Sequence, residues 1–204
     1  YDIQFGNVKR PTHWNTSWDW ARFETVGHQW ADLSERGYGV SLLNDCKYGY
    51  DIKDNVMRLS LIKSAVHPDP DADIGEHSFV YALYPHEGDW YSAGTVREAW
   101  SLNNPLTARK GSGAKPGGFS LLTLSAPNVM VDAVKKSEDG ERLVVRVHEY
   151  AGLRSRVEMT GDCRIVSLRE CTLMEQPMSG AAESESASFE IKPYEIKTFI
   201  VKLA

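Results

Sequence analysis

The stretch His67-Pro68-Asp69-Pro70-Asp71-Ala72-Asp73-Ile74-Gly75-Glu76-His77 carries carboxylates at alternate positions, Asp69, Asp71 and Asp73. Oxygen ligands at that spacing can wrap a hard cation such as calcium. An EF-hand loop begun at Asp69 needs glycine at its sixth position and glutamate at its twelfth. This chain has Ile74 and Val80 there, so a solvated acidic loop stands beside the bound-cation reading. His67 and His77 flank the loop and His86 follows it, but none forms an HExxH or paired CxxC arrangement, so the spacing assigns no zinc site to this chain. Cleavage of a glycosidic bond needs one carboxylic acid to protonate the leaving group and a second carboxylate as base or nucleophile. Asp45 and Glu24 sit among aromatics, and the plainer reading is that they tie strands and loops together. The aromatic block Trp14, Trp18, Trp20, Phe23 and Trp30 offers stacking surface. A sugar's C–H face suits a large apolar ring with a polar rim, and a protein core or interface suits it equally. Trp18 and Trp20 alternate as neighbours on one face of a strand would. No nucleophile elbow, Walker loop or dinucleotide fingerprint occurs, and Gly111-Ser112-Gly113 leads into Pro116 rather than a helix.

The elements that must hold these residues read as β-structure. Gly39–Leu43, Val56–Ile62, Ser78–Tyr84, Leu121–Leu124, Leu143–Val147, Arg156–Met159, Ser188–Ile191 and Thr198–Val201 are short runs rich in β-branched and aromatic residues. Turn residues separate them, which is the pattern of an all-β sandwich. Tyr1–Phe5 reads as a further strand, and a chain that begins inside an element is expected to be a fragment. Asp139-Gly140 reads as a hairpin tip, and Ser34-Glu35-Arg36-Gly37 precedes a strand. One short helix is expected over Thr95–Leu102, stopped by Asn103-Asn104-Pro105. The Gly- and Pro-rich run 110–118 marks a boundary, with all six Trp before it, and Ser179–Ser188 reads as a solvated loop.

Composition narrows the classes. The 204 residues are 42% hydrophobic and 25% charged, which is enough apolar mass for a core. The net charge of −5, without a basic run, argues against nucleic-acid binding. No apolar stretch approaches the ~20 residues that span a bilayer. Cys46, Cys163 and Cys171 are too few and uneven for a disulfide framework. They read as reduced thiols of a cytosolic protein, with a Cys163–Cys171 bridge conceivable but not required.

From Gln4 onward the order of residues carries more. Gln4-Phe5-Gly6 leads to Arg10-Pro11-Thr12-His13-Trp14-Asn15-Thr16-Ser17-Trp18-Asp19-Trp20-Ala21-Arg22-Phe23-Glu24. His28, Trp30–Glu35 and Gly37–Gly49 follow, the last containing Leu42-Leu43-Asn44-Asp45-Cys46-Lys47-Tyr48-Gly49. Further on come Leu59–Lys63, Pro68-Asp69, Ala82–His86, Ala99–Asn103 and the tail Ile191–Phe199. The chain resembles, over nearly its whole length, the C-terminal β region of glycoside hydrolase family 38 α-mannosidases of the cytosolic and bacterial branch.

The resemblance implies a parent enzyme that is a retaining exo-glycosidase acting on terminal α-mannose of oligosaccharides in the cytoplasm. In such enzymes an Asp nucleophile and a zinc, or another divalent metal, held by His and Asp lie in an N-terminal α/β barrel, followed by a helical domain. It implies that residues 1–119 are the later strands of a large, mutarotase-like supersandwich and residues 120–204 a small Ig-like β-sandwich. No catalytic residue and no metal ligand is assigned to this chain, which is expected to be inactive alone. Its implied partners are its own N-terminal barrel and helical domain, a mannose-containing oligosaccharide and further copies of the parent, with no nucleic acid or membrane. The family's β region also lends side chains to the pocket rim, which makes Lys63, Asn44, Asp45 and Lys47 rim candidates. Relatives often carry Arg at the position of Lys63, and Lys brings a point charge rather than a planar fork. Trp18 and Trp20 are candidates for sugar stacking or for an interface. A stand-alone carbohydrate-binding β module is the alternative reading.

Overall fold

The computed structural model describes residues 1–22, 24–111 and 117–204, so Phe23 of the aromatic block and Ser112–Pro116 of the Gly/Pro run lie outside the described residues. The chain forms two compact units, Tyr1–Arg109 and Lys110–Ala204. Both are β-structures.

The first unit runs β1 (Asp2–Ile3), β2 (Gly6–Asn7), α1 (Ser17–Ala21), β3 (Thr25–Val26), β4 (Trp30–Ser34), β5 (Gly39–Asn44), β6 (Gly49–Lys53), β7 (Val56–Ser60), β8 (Tyr81–His86) and α2 (Thr95–Asn103). Its antiparallel sheets are the hairpin β1-β2, then β3-β6-β7 and β4-β5-β8. Ala31 and Leu42 on one sheet meet Tyr50 and Ile52 on the other in a buried cluster, edged by Leu33, Met57 and Leu59. α2 packs on β4 and β5. The central strand β5 is thus enclosed on both faces, which explains its near-continuous burial where an exposed sheet would alternate. Gly39 allows the close approach: a Cβ there would run into the His86 ring.

The second unit adds β9 (Thr123–Leu124), β10 (Val129–Lys136), β11 (Leu143–Glu149), β12 (Ser155–Thr160), β13 (Ile165–Cys171), β14 (Ser188–Ile191) and β15 (Ile196–Leu203). The sheets β10-β11-β15-β13 and β14-β12-β9 enclose a core of Val145, Val147, Phe199 and Val201 from the first and Val157, Met159 and Ile191 from the second. Burying side chains of this size contributes roughly 1.5–3 kcal/mol each, so this core is the main stabilising term of the unit. Asp139-Gly140 forms the β10–β11 tip, with Gly140 at φ 77° in the left-handed region that glycine enters without strain.

Several boundaries differ from expectation. Tyr1–Phe5 is a two-residue strand, Asp2–Ile3, because Phe5 turns back at φ 56°. Val56–Ile62 ends at Ser60, whose partner Gly49 is the first residue of β6, leaving nothing beyond to pair with. Ser78–Tyr84 begins instead at Tyr81, because the Val80 N–H is taken by the Asp45 side chain at 3.0 Å. Trp18 and Trp20 do not lie on a strand but on the helix α1, a second helix beside α2. There Thr16 caps the N-terminus and the Asp19 carboxylate returns to the Thr16 N–H at 3.0 Å, a reciprocal capping box. β4, β6, β10 and β13 are strands that the sequence reading did not delimit.

Glu149, at the end of β11, is fully enclosed. Its carboxylate accepts from the Asn128 side chain, the N–H groups of Ala151 and Gly152 at 2.8 Å and the Tyr194 N–H at 2.9 Å. It staples three loops at one end of the sandwich. Burial alone would raise its pKa, but the donors outweigh burial and hold it below the ordinary 4.5. Its contribution is therefore complete above that value and is lost as pH falls through the depressed folded value. Glu149→Ala is expected to lower unfolding free energy by roughly 3 kcal/mol in urea titrations at neutral pH, because several donors lose their acceptor together. Glu149→Gln should flatten the loss of stability seen when the same titration is repeated from pH 5 to pH 3.

Candidate functional site

The turn after β5 gathers three of the four rim candidates. Asn44, the last residue of β5, is fully buried. Its amide donates to the His28 carbonyl at 2.8 Å and to the Tyr50 hydroxyl, and its side-chain oxygen accepts from the Lys47 N–H at 2.5 Å. Its backbone carbonyl accepts from the Asn103 side chain at 3.0 Å, which ties the end of α2 to the same point. The amide therefore shapes from inside the turn that carries the partly exposed Asp45 and Lys47 and the exposed Cys46 and Tyr48.

Asp45 is partly exposed and grips residue 80 twice. Its N–H donates to the Val80 carbonyl at 3.1 Å and its Oδ1 accepts from the Val80 N–H at 3.0 Å. The Cys46 thiol and that Val80 N–H hold the Asp45 carboxyl below the usual carboxylate range, and the Asp45 contact pushes the Cys46 thiol up. The Lys47 ammonium lies 4.8 Å from the centre of the Phe79 ring, a cation–π contact that fixes a charged head near the surface. The turn thus offers a fixed carboxylate and a fixed ammonium, groups that can hydrogen-bond hydroxyls. Phe79 and Val80, which complete this arrangement, were not singled out from sequence, because nothing in their residue types marks contacts to Lys47 and Asp45 so far away along the chain.

Lys63 lies three residues past β7, exposed, with no hydrogen bond or ion pair to the described residues. The acidic segment beyond it is also exposed. Asp69 accepts from the Asp71 N–H at 3.0 Å, Asp73 accepts from the Ser64 N–H at 3.0 Å, and His77 meets the Asp73 carbonyl at 2.8 Å. The Asp69 and Asp73 carboxylates therefore cap local turns, and the three do not form a cation-holding cluster. Glu24 accepts from the Ser60 hydroxyl. Among the described residues no group of three or more His, Cys, Asp or Glu is placed to hold a metal ion, so no step through a metal is derived for this chain.

His86 sits in a buried polar network beneath α2. Its Nε2 lies 2.8 Å from Asp32 Oδ1, Ser41 Oγ donates to the same oxygen at 2.8 Å, and Ser41 and Thr95 share a 2.8 Å hydroxyl contact. The His86 and Asp32 side chains are both almost wholly enclosed. A Ser, a His and an Asp do meet here, but a single ring nitrogen serves both neighbours and no substrate can reach Ser41, so the arrangement fastens α2 to the sheet.

The aromatic block divides. Trp30 is buried and stacks on Trp90, with ring centres 5.2 Å apart. Trp14 packs against Trp20 at 4.8 Å and under the Lys53 ammonium at 4.1 Å. Trp18, 76% exposed, and Trp20, 61% exposed, project from α1. Cys46, Cys163 and Cys171 are free thiols. No helix among the described residues is long and apolar enough to cross a membrane.

Residues 1–71 match the description "Glycosyl hydrolases family 38 C-terminal domain", and residues 128–199 match "Glycosyl hydrolases family 38 C-terminal beta sandwich domain". The chain belongs to the C-terminal region of glycosyl hydrolase family 38. It is 42% identical over 207 residues to Alpha-mannosidase G of Dictyostelium discoideum, covering 98% of this chain and 19% of that protein. It is also 42% identical over 181 residues to human Alpha-mannosidase 2C1, covering 87% of this chain and 17% of that protein. The chain thus spans about a fifth of the length of the curated relatives it matches. Two solved structures share the fold. An alpha-mannosidase from Enterococcus faecalis V583 superposes with a TM-score of 0.73 at 22% identity, over 98% of this chain and 23% of that one. A family 38 protein from Enterococcus faecalis superposes with a TM-score of 0.75 at 21% identity, over 98% and 24%.

Asn44→Ala would leave the His28 carbonyl, the Tyr50 hydroxyl and the Lys47 N–H without their shared partner. It is expected to lower stability by roughly 3 kcal/mol, read as a reduced urea midpoint, because buried groups left unpaired each cost about 1–3 kcal/mol.

Proposed function

We propose that this chain is the C-terminal β region of a retaining, zinc-dependent α-mannosidase that removes terminal α-mannosyl residues from oligosaccharides in the cytoplasm. The observation that carries the reading is 42% identity along 98% of the chain to a protein named as an α-mannosidase. The three free thiols support a reducing compartment. In this reading the nucleophile, the acid/base and the metal ligands belong to the N-terminal part of the parent, and the parent assembles as a homo-oligomer. The chain's own contribution is to support the catalytic barrel and line the rim of the sugar pocket.

The rim role falls to Lys47 and Lys63, with Asp45 and Asn44 setting the turn. An ammonium donates up to three hydrogen bonds and can hold sugar hydroxyls through charge-assisted contacts. Lys47 is pre-positioned by Phe79 and the Asn44 side chain, so it loses little freedom when a sugar arrives. Lys63 is untethered and would order only on binding. A second reading, a carbohydrate-binding module, is favoured by the exposure of Trp18 alone. Quenching of tryptophan fluorescence by methyl α-mannoside, lost in Trp18→Ala, would support it, and a flat titration would remove it.

The main reading is tested with a chromogenic α-mannoside and added zinc or cobalt. Turnover is expected from the full-length parent and not from the 204 residues alone. In the parent, Lys47→Ala and Lys63→Ala should each lower kcat/KM about tenfold, the effect of one lost charged hydrogen bond. Unchanged kinetics in both variants would remove the rim role. Turnover by this chain alone would place the catalytic carboxylates within it and overturn the reading.

A further inference from the structure

Lys63 is exposed and its side chain is untethered, but the backbone that carries it is not free. β7 ends at Ser60 and β8 starts at Tyr81, so Lys63 lies in an irregular stretch with no strand ladder to set its direction. The residue after it is fixed from nine positions away, where the Ser64 N–H donates to Asp73 Oδ2 at 3.0 Å. Ser64 stands at φ 48° and Asp73 at φ 60°. Both lie in the left-handed region, which residues other than glycine hold only where their surroundings over-determine it. The His77 Nε2 lies 2.8 Å from the Asp73 carbonyl, and a carbonyl can only accept, so that nitrogen carries the proton and donates. Between Ser64 and Asp73 the chain closes a compact turn. The Ala72 N–H donates to the Asp69 carbonyl at 3.4 Å, the Ile74 N–H to the Asp71 carbonyl at 3.2 Å and the Asp71 N–H to Asp69 Oδ1 at 3.0 Å. Asp69 thus serves the turn itself, whereas Asp73 reaches out of it to the neighbour of Lys63.

We infer that Asp73, pinned by His77, is a positioning residue for Lys63. Its carboxylate closes the loop 64–73 at the neck and so fixes the direction in which the Lys63 side chain leaves the backbone. The inference rests on the reading of Lys63 as a rim cation for a sugar hydroxyl. An ammonium on a long stem loses side-chain freedom when it binds, and a mobile backbone would add its own loss to that cost. The Asp73–Ser64 clasp removes the backbone part before the sugar arrives. The acidic segment is in this account a device for aiming one cation, and Asp73 needs its acceptor oxygen there more than its charge.

The test uses the full-length parent and the variants Lys63→Ala, Asp73→Ala, Asp73→Asn, Asp71→Ala and Lys63→Ala with Asp73→Ala. With a chromogenic α-mannoside, Asp73→Ala is expected to lower kcat/KM about fivefold, because the cation is kept but loses its aim. Asp73→Asn keeps an oxygen that can accept from Ser64 and should restore most of the loss. Asp71→Ala removes a carboxylate of the same loop but no clasp, and should leave kcat/KM unchanged. In the Lys63→Ala background Asp73→Ala should cost nothing further, since it acts through Lys63. Full additivity, or equal losses in Asp73→Ala and Asp73→Asn, would overturn the inference. The clasp is also read without reference to activity, as the rate of tryptic cleavage between Lys63 and Ser64 measured by mass spectrometry. Asp73→Ala should quicken that cleavage several-fold, and Asp73→Asn and Asp71→Ala should not. Equal cleavage in Asp73→Ala and the unaltered parent, whether fast or absent, would overturn the inference and leave an impaired Lys63→Ala as support for the rim reading. Quickened cleavage beside unchanged turnover in Lys63→Ala would uphold the clasp and defeat the rim role of Lys63.

Discussion

One buried amide holds the first unit's most specific turn in place. Asn44 ends a strand that is covered on both faces, so its side chain cannot turn to water, and each polar atom it carries must find a partner inside. It finds them in the neighbouring chain at His28, in the opposing sheet at Tyr50 and in its own turn at Lys47. The Asn103 side chain closes the set from the end of α2. Two sheets, a helix and a loop are thereby indexed to one residue. The partly exposed groups nearby, Asp45 and Lys47, take their geometry from this arrangement.

The second unit uses the same device with a carboxylate. Glu149 is enclosed at a strand end and answers donors from three separate segments. In both units the polar residue is stable in the interior because every bond it could make to water is replaced. The contrast with Asp132 is informative: its Oδ1 pairs with His148 at 2.7 Å, while its buried Oδ2 has no hydrogen-bond partner among the described residues. Asp132 lies at a bulge in β10, where the register between β10 and β11 shifts.

The two units differ in completeness. The second closes its core between two sheets. The first encloses β5 but leaves Leu83 and Tyr81 bare along β8, so its apolar face continues beyond the sheet. Asp45 reaches the residue just before β8, because both of its bonds to Val80 run there.

The all-β class, the start of α2 at Thr95, the Asp139-Gly140 tip and the family were legible in the sequence, because alternation, turn chemistry and ordered motifs are local signals. Strands that break local rules were not. β6 carries Asp51 and Lys53 and reads as polar, yet Asp51 is buried because Arg58 on β7 neutralises it at 2.6 Å. Trp18 and Trp20 alternate as neighbours on a strand would, whereas the Thr16–Asp19 capping box places them on the helix α1. The sequence likewise marked Asn44, Asp45 and Lys47 as a group, since they are neighbours in one motif. Only the tertiary structure separated their roles, turning Asn44 inward, clasping Asp45 to Val80 and setting Lys47 over Phe79. Burial and long-range hydrogen bonds made that division, and neither is a property of a residue type or of its spacing along the chain.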